Sequence, residues 1–140
     1  MTAVSELFLS YIPHIALIAR VWFGVNMIIH GYPKLKNLKH SSEQMNQTLG
    51  IPIKATYIAT ILEFFGGFLL IIGLIVPIIA LFFAILMIAI IIMKKTKMKA
   101  AYINPNGISY EIDITYLIIS IILVVIGSGI LSVDSLIGIW

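Results

Sequence analysis

The stretch at residues 55–93, ATYIATILEFFGGFLLIIGLIVPIIALFFAILMIAIIIM, decides the fold. It is almost entirely apolar, and it is about twice as long as the roughly 20 residues that one helix needs to cross a bilayer. The chain must therefore turn back once within it. Residues 73–77 form the predicted hinge, because Pro77 disfavours a helical conformation in the residue before it. We predict two spans here, at about residues 55–74 and 78–93.

Two further apolar segments flank this stretch and predict spans at about residues 12–30 and 112–130. Hydrophobic residues make up 61% of the 140 residues and charged residues 11%, whereas soluble domains are roughly 45–50% apolar and about 25% charged. These values exclude a soluble globular domain and a disordered chain. The sequence predicts an all-α membrane protein, a four-transmembrane-helix bundle that forms one integral membrane domain over residues 1–140.

The loop after the first span carries the signals of a short helix. Ser41 followed by Gln44 fits a capping box, in which each side chain accepts a hydrogen bond from a backbone N–H at the start of a helix. Gly50 would end that helix after Leu49, because glycine readily adopts the left-handed conformation common after helices. The apolar side of this segment predicts an interfacial helix that lies on the membrane surface.

The placement of the basic residues predicts the topology. All eight lysines lie in the two longer loops: Lys34, Lys36, Lys39, Lys54, Lys94, Lys95, Lys97 and Lys99. Because cytoplasmic loops carry an excess of lysine and arginine, we expect both loops in the cytoplasm and both termini outside, in a multi-pass protein of the cell membrane. The net charge of +3 follows this membrane pattern, so no nucleic-acid partner is predicted.

Two charged residues lie well inside predicted spans. Arg20 and Glu63 would each lie roughly 12–15 Å from the cytoplasmic end of their helix. A central arginine costs about 2.5–3.5 kcal/mol on the insertion scale, so we expect such groups to be paired. We predict an intramembrane ion pair between Arg20 and Glu63. Two interpretations stay open: the pair only locks the two helices together, or it lines a polar cavity for a headgroup, a proton or a substrate.

Two other sets of residues accompany this pair. Small residues near it would let helices approach closely: Gly24, Gly31, Gly66 and Gly67. A polar cluster is predicted at the cytoplasmic mouth of the bundle: Asn26, His30, Lys34 and Glu111. Simpler accounts compete with a functional role here, because acidic residues at a helix start are favoured by the helix dipole alone.

The sequence offers few groups for cofactor chemistry. It contains no cysteine, which excludes thiolate nucleophiles and iron–sulfur ligation by this chain. His14 and His30 are roughly 24 Å apart along one helix, so they cannot sandwich one haem. No histidine or carboxylate spacing fits a metal site. The sequence assigns no catalytic residue, and we predict no cofactor held by this chain alone, with a quinone as a possible ligand.

Several motifs, taken in order, resemble those of the DoxX family of small four-span membrane proteins. They are Arg20-x-x-x-Gly24, His30-Gly31-x-x-Lys34-Leu35, Leu49-Gly50-Ile51-Pro52, Glu63-x-x-Gly66-Gly67, Glu111 at the start of the last span, and Gly127-x-Gly129-x-x-Ser132-x-Asp134. The resemblance implies a four-helix membrane bundle. Some members of the family are similar to the membrane subunit of thiosulfate:quinone oxidoreductase, and others are associated with membrane oxidoreductase complexes.

The resemblance implies one leading function and several alternatives. The first hypothesis is an accessory membrane subunit of a respiratory or quinone-linked oxidoreductase complex, with other membrane subunits as partners and a polar intramembrane site. The second is a thiosulfate:quinone oxidoreductase-like subunit that helps to bind the anionic substrate. A small transporter and a purely structural or assembly protein are the remaining alternatives.

Overall fold

The computed structural model describes residues 3–129 and 131–139. This part of the chain is all-helical and contains no β-strand. Its helices are α1 (Ala3–Lys36), α2 (Leu38–Leu49), α3 (Ile53–Ile72), α4 (Val76–Thr96), α5 (Glu111–Ile126) and α6 (Val133–Ile137). The prediction of an all-α fold is confirmed.

The first helix is longer than the sequence predicted. α1 has 34 residues and continues past Gly31 and Pro33 to Lys36. Proline removes one intrahelical hydrogen bond, but packing against a neighbouring helix can outweigh that loss. Here a Cβ atom on Gly31 would lie 2.9 Å from the backbone nitrogen of Phe64, so this part of α1 rests directly on α3.

The short helix of the first loop is present, although its start differs from the prediction. α2 begins at Leu38, and Ser41 lies inside it, with its backbone N–H bonded to the carbonyl of Asn37 at 2.9 Å. The capping box predicted at Ser41 and Gln44 was therefore wrong. The predicted end is confirmed, because Gly50 has a φ of 68° and donates its N–H to the carbonyl of Asn46.

The hinge inside the long apolar stretch is confirmed. α3 ends at Gly73, which has a φ of 75°, and α4 starts three residues later. Pro77 occupies the first turn of α4, where its missing N–H leaves no intrahelical bond unmade. The turn is short, so α3 and α4 run in opposite directions.

Among the described residues, three helices are long and apolar enough to cross a membrane by length and composition: α1, α3 and α4. α5 has 16 residues, roughly 24 Å, which is shorter than the predicted fourth span at residues 112–130. It ends early because Gly127 adopts a φ of 77° and a ψ of −158°, which no helix continues. The structure therefore supports a multi-pass membrane protein, while the fourth span stays a prediction.

The four long helices associate as two antiparallel pairs. α1 packs mainly on α3, and α4 packs mainly on α5, with smaller contacts between the pairs. Gly24 and Gly67 mark the closest approach of the first pair, because a Cβ atom on either would lie within 2.7 Å of the other's carbonyl oxygen. Phe23 joins the two pairs through ring contacts with Phe83 and Tyr116, at 5.2 and 5.4 Å between centroids.

Candidate functional site

A cavity of about 830 Å³ lies between the two helix pairs. It opens at the lysine-rich end, which we define as the end of the molecule formed by α2 and residues 97–110. The walls are largely apolar and rich in methionine: Met27, Met45, Leu86, Met87, Ile90 and Met93. A few polar side chains interrupt these walls, and they determine what the cavity can bind.

An ion pair across α1 and α3 lies at the cavity wall. The Nζ atom of Lys34 is 2.6 Å from Oε2 and 2.9 Å from Oε1 of Glu63. The Glu63 side chain is only 6% exposed, whereas that of Lys34 is 31% exposed. Lys34 therefore neutralises a nearly buried carboxylate while its own charge stays partly accessible.

A second ion pair across α4 and α5 lies on the other side of the cavity. The Nζ atom of Lys94 is 2.6 Å from Oδ2 of Asp113 and donates a second bond to the carbonyl of Ser109 at 3.1 Å. Sequence reasoning missed this pair. The spacing of Asp113, Tyr116 and Ser120 on one face of α5 was the signal that could have found it, because residues three and four apart share a helix face.

Tyr116 connects the two helix pairs beside the cavity. Its hydroxyl donates a hydrogen bond to Oδ1 of Asn26 at 3.2 Å and lies 3.4 Å from Nε2 of His30. Asn26 and His30 are one turn apart on α1, as the sequence indicated, and both face α5 at this point. Tyr116 itself was not predicted as a site residue.

The predicted mouth cluster is only partly assembled. His30 and Lys34 line the cavity, and Asn26 reaches it through Tyr116. Glu111, the first residue of α5, does not line the cavity, and Asp113 two residues later does. Successive residues of a helix point about 100° apart, so a shift of two positions moves the side chain to another face.

The predicted ion pair between Arg20 and Glu63 is wrong. A Cβ atom on Gly31 would lie 3.2 Å from Cβ of Glu63, so Glu63 is level with a residue eleven positions, about 16 Å, along α1 from Arg20. The predicted depth of Arg20 in the membrane assumes that the first helix ends at residue 30. α1 continues to Lys36, which places Arg20 farther from the lysine-rich end than Glu63.

Arg20 instead holds the opposite end of the molecule together. Arg20 is 1% exposed, and its guanidinium donates hydrogen bonds to the carbonyl oxygens of Ser128 and Leu131. Nearby, the carboxylate of Asp134 accepts bonds from the backbone N–H groups of Ile75 and Val76 at 2.7 and 3.2 Å. These contacts fasten the segment after α5 to α1 and to the start of α4.

Among residues 3–129 and 131–139, no group of three or more histidine, aspartate or glutamate side chains could hold a metal ion. The cavity therefore offers hydrogen bonds, paired charges and apolar walls as its means of binding.

Comparison with known proteins places the chain in a family. A sequence profile of DoxX matches residues 15–95, which is more than half of the chain and covers α1 to α4 from Ile15 onward. The chain belongs to the DoxX family. The matched part of this DoxX protein contains Arg20, Lys34, Glu63 and Lys94, whereas Asp113 and the rest of α5 lie outside it.

A second comparison covers more of this DoxX protein. The "Putative oxidoreductase CatD" of Bacillus subtilis (strain 168) is 30% identical over 118 residues, which span 84% of this chain and 83% of that protein. No solved structure matches the chain.

Proposed function

We propose that this DoxX-family protein is a membrane subunit of a quinone-linked oxidoreductase complex, and that it binds the quinone in the cavity at its lysine-rich end. The cavity carries this proposal. Its volume of about 830 Å³ falls within the roughly 300–1,000 Å³ typical of small-molecule sites, and such sites combine apolar walls with a few polar groups. The name of the relative, "Putative oxidoreductase CatD", supports the same class of function.

The charges around the cavity favour a neutral ligand. Both carboxylates in its wall are paired with lysines, Glu63 with Lys34 and Asp113 with Lys94. A charged ligand would have to break one of these pairs and leave a nearly buried charge uncompensated. A quinone is neutral, has carbonyl acceptors for hydrogen bonds, and has an apolar ring and tail that suit walls of methionine, leucine and isoleucine.

The same argument disfavours direct binding of an anion such as thiosulfate. Arg20 is 1% exposed and already donates to two carbonyl oxygens, so it offers no accessible positive charge. In this proposal the redox centre belongs to a partner subunit, because the chain has no cysteine that could undergo disulfide exchange or hold an iron–sulfur cluster.

The proposal includes the orientation in the cell membrane. α5 and the segment up to α6 complete a fourth crossing, both termini lie outside, and the lysine-rich end faces the cytoplasm. The support is the concentration of all eight lysines at that end. The cavity then opens on the cytoplasmic side, and the contacts of Arg20 close the bundle on the outer side.

Binding of decylubiquinone, a short-tailed quinone, to the purified full chain in mild detergent tests the proposal. We expect saturable binding to the wild type and its loss in Ala59→Phe, which fills the cavity from α3. Ile58→Phe is the matched control, because Ile58 is the preceding residue and is 68% exposed on the outer surface. Equal binding by all three proteins, or none by the wild type, would contradict the proposal.

The complex is tested separately, by purification from native membranes and mass spectrometry of co-purifying chains and quinones. We expect at least one redox protein and bound quinone. Recovery of the chain alone and without quinone would favour a transporter, which flux measurements in proteoliposomes would then detect. Recovery with subunits but without quinone would favour a structural or assembly protein.

A further inference from the structure

One hydroxyl group in the cavity wall has no hydrogen-bond partner. Thr56 lies in the first turns of α3, lines the cavity and is 6% exposed. Its Oγ1 atom is buried and makes no hydrogen bond. An unsatisfied buried hydroxyl is costly, and most buried polar groups in folded proteins are paired. This atom therefore needs an explanation.

Three other helical hydroxyls form a hydrogen bond within their own helix. Thr96, Thr115 and Ser120 each donate to the carbonyl four residues earlier, at 2.7, 3.1 and 2.7 Å. This bond is the usual solution for serine and threonine inside helices. Thr56 is also helical, but its hydroxyl makes no such bond.

The carbonyl that Thr56 would use is already occupied. The residue four positions earlier is Pro52, and its carbonyl oxygen accepts the backbone N–H groups of Ala55 at 2.9 Å and of Thr56 at 3.2 Å. A carbonyl oxygen has two lone pairs, and both are engaged here. The Thr56 hydroxyl is thus excluded from the local bond and stays without a partner, just beneath the cavity wall that Thr56 helps to form.

The neighbouring polar groups indicate what kind of partner fits. The lysines and carboxylates of the two ion pairs in the cavity wall satisfy one another, and the buried side-chain atom of this wall that lacks a partner is the neutral hydroxyl of Thr56. Thr56, Thr60 and Glu63 follow each other at helical spacing along α3, and all three line the cavity. Thr56 is the one nearest the lysine-rich end, about 10 Å along the helix from Glu63.

From these contacts we infer that the Thr56 hydroxyl is a ligand-binding group that donates a hydrogen bond to a carbonyl oxygen of the bound quinone. The inference rests on the proposed function and deepens it, because it fixes where in the cavity the headgroup is held. The headgroup lies near the first turns of α3, toward the lysine-rich end, and not at the level of Glu63.

Thr56→Val tests the inference, because valine keeps the shape of threonine and removes the hydroxyl. We expect the dissociation constant for decylubiquinone to rise about five- to tenfold, the loss of one hydrogen bond. The unfolding temperature without quinone should stay the same or rise, because the removed group had no partner. The increase in unfolding temperature on adding quinone should shrink, and Thr56→Ser should restore both the affinity and this increase.

Thr115→Val is the matched control. Thr115 is exposed on α5 outside the cavity and donates to the carbonyl of Glu111, so its substitution should leave quinone affinity unchanged. Wild-type affinity in Thr56→Val would overturn the assignment of Thr56 while leaving the proposed function in place. A marked fall in the unfolding temperature of quinone-free Thr56→Val would also overturn it, because that result requires a partner within the protein. Failure of the wild type to bind quinone would instead overturn the proposed function and this inference together.

Discussion

Lys34 and Glu63 are joined at 2.6 Å across the interface of α1 and α3, and this pairing leaves Arg20 to bind the backbone at the opposite end of the molecule. The two charges that lie deepest in the predicted spans thus have separate partners. Glu63 belongs to the cavity, and Arg20 belongs to the contacts that close the other end. The predictions below follow from this division.

Lys34→Met should destabilise the protein, because it leaves the nearly buried Glu63 carboxylate without its partner. We expect a loss of about 2–4 kcal/mol in the free energy of unfolding, below the full value for a buried pair because Lys34 is partly exposed. Unfolding in mixed detergent measures this loss. The double variant Lys34→Met with Glu63→Leu should recover most of it, and Lys36→Met, at an exposed position of the same helix end, should have little effect.

Arg20→Lys should loosen the segment after α5 and leave the cavity unchanged. Lysine keeps the charge but lacks the planar fork with which Arg20 binds the carbonyls of Ser128 and Leu131. We expect faster hydrogen exchange at the backbone amides of residues 131–137 and a loss of about 1.5–3 kcal/mol in stability. The affinity for decylubiquinone should be that of the wild type. Weaker quinone binding at equal stability would restore Arg20 as a ligand contact.

Gly67→Ala should separate α1 from α3. The added Cβ atom would lie 2.7 Å from the carbonyl oxygen of Gly24, a backbone atom that cannot rotate away. We expect a loss of about 1–3 kcal/mol or more in the free energy of unfolding. Gly66→Ala is the adjacent control, since its Cβ atom would lie 3.1 Å from the ring of Phe83, a side chain that can shift. Equal effects of the two substitutions would contradict this account of the interface.

Tyr116→Phe should weaken the contact between the two helix pairs. It removes the hydroxyl that donates to Asn26 and keeps the ring that packs on Phe23. The expected loss is about 0.5–1.5 kcal/mol. A double-mutant cycle with Asn26→Ala measures the coupling directly, and a coupling energy near zero would show that the hydrogen bond contributes nothing to stability.

Much of the fold follows from local sequence signals. The hinge at Gly73 and Pro77 and the helix end at Gly50 each depend on the backbone preference of one residue, which the sequence shows directly. The true end of α1 cannot be predicted in this way, because the backbone preference of Pro33 indicates an earlier end. The packing of Gly31 on α3 and the ion pair of Lys34 with Glu63 hold the longer helix against α3.

The candidate site was less predictable than the fold. Lys34 and Glu63 were both identified from the sequence, but their pairing depends on the register of α1 against α3. The predicted end of the first helix was six residues too early, and this error shifts the expected position of each α1 residue by about 9 Å along the helix axis. The roles of Lys94, Asp113 and Tyr116 depend on which faces of α4 and α5 meet. The hydroxyl of Thr56 lacks a local partner because the carbonyl oxygen of Pro52 already accepts two backbone N–H groups. These relationships arise from three-dimensional packing.

The bonds of Arg20 can form only late in the synthesis of the protein. Ser128 lies 108 residues after Arg20, so the ribosome delivers the arginine to the membrane long before it makes the carbonyl that Arg20 binds. Throughout that interval the nascent chain carries an unsatisfied cation in its first helix. A chain interrupted after α5 would lack both carbonyl groups that Arg20 binds.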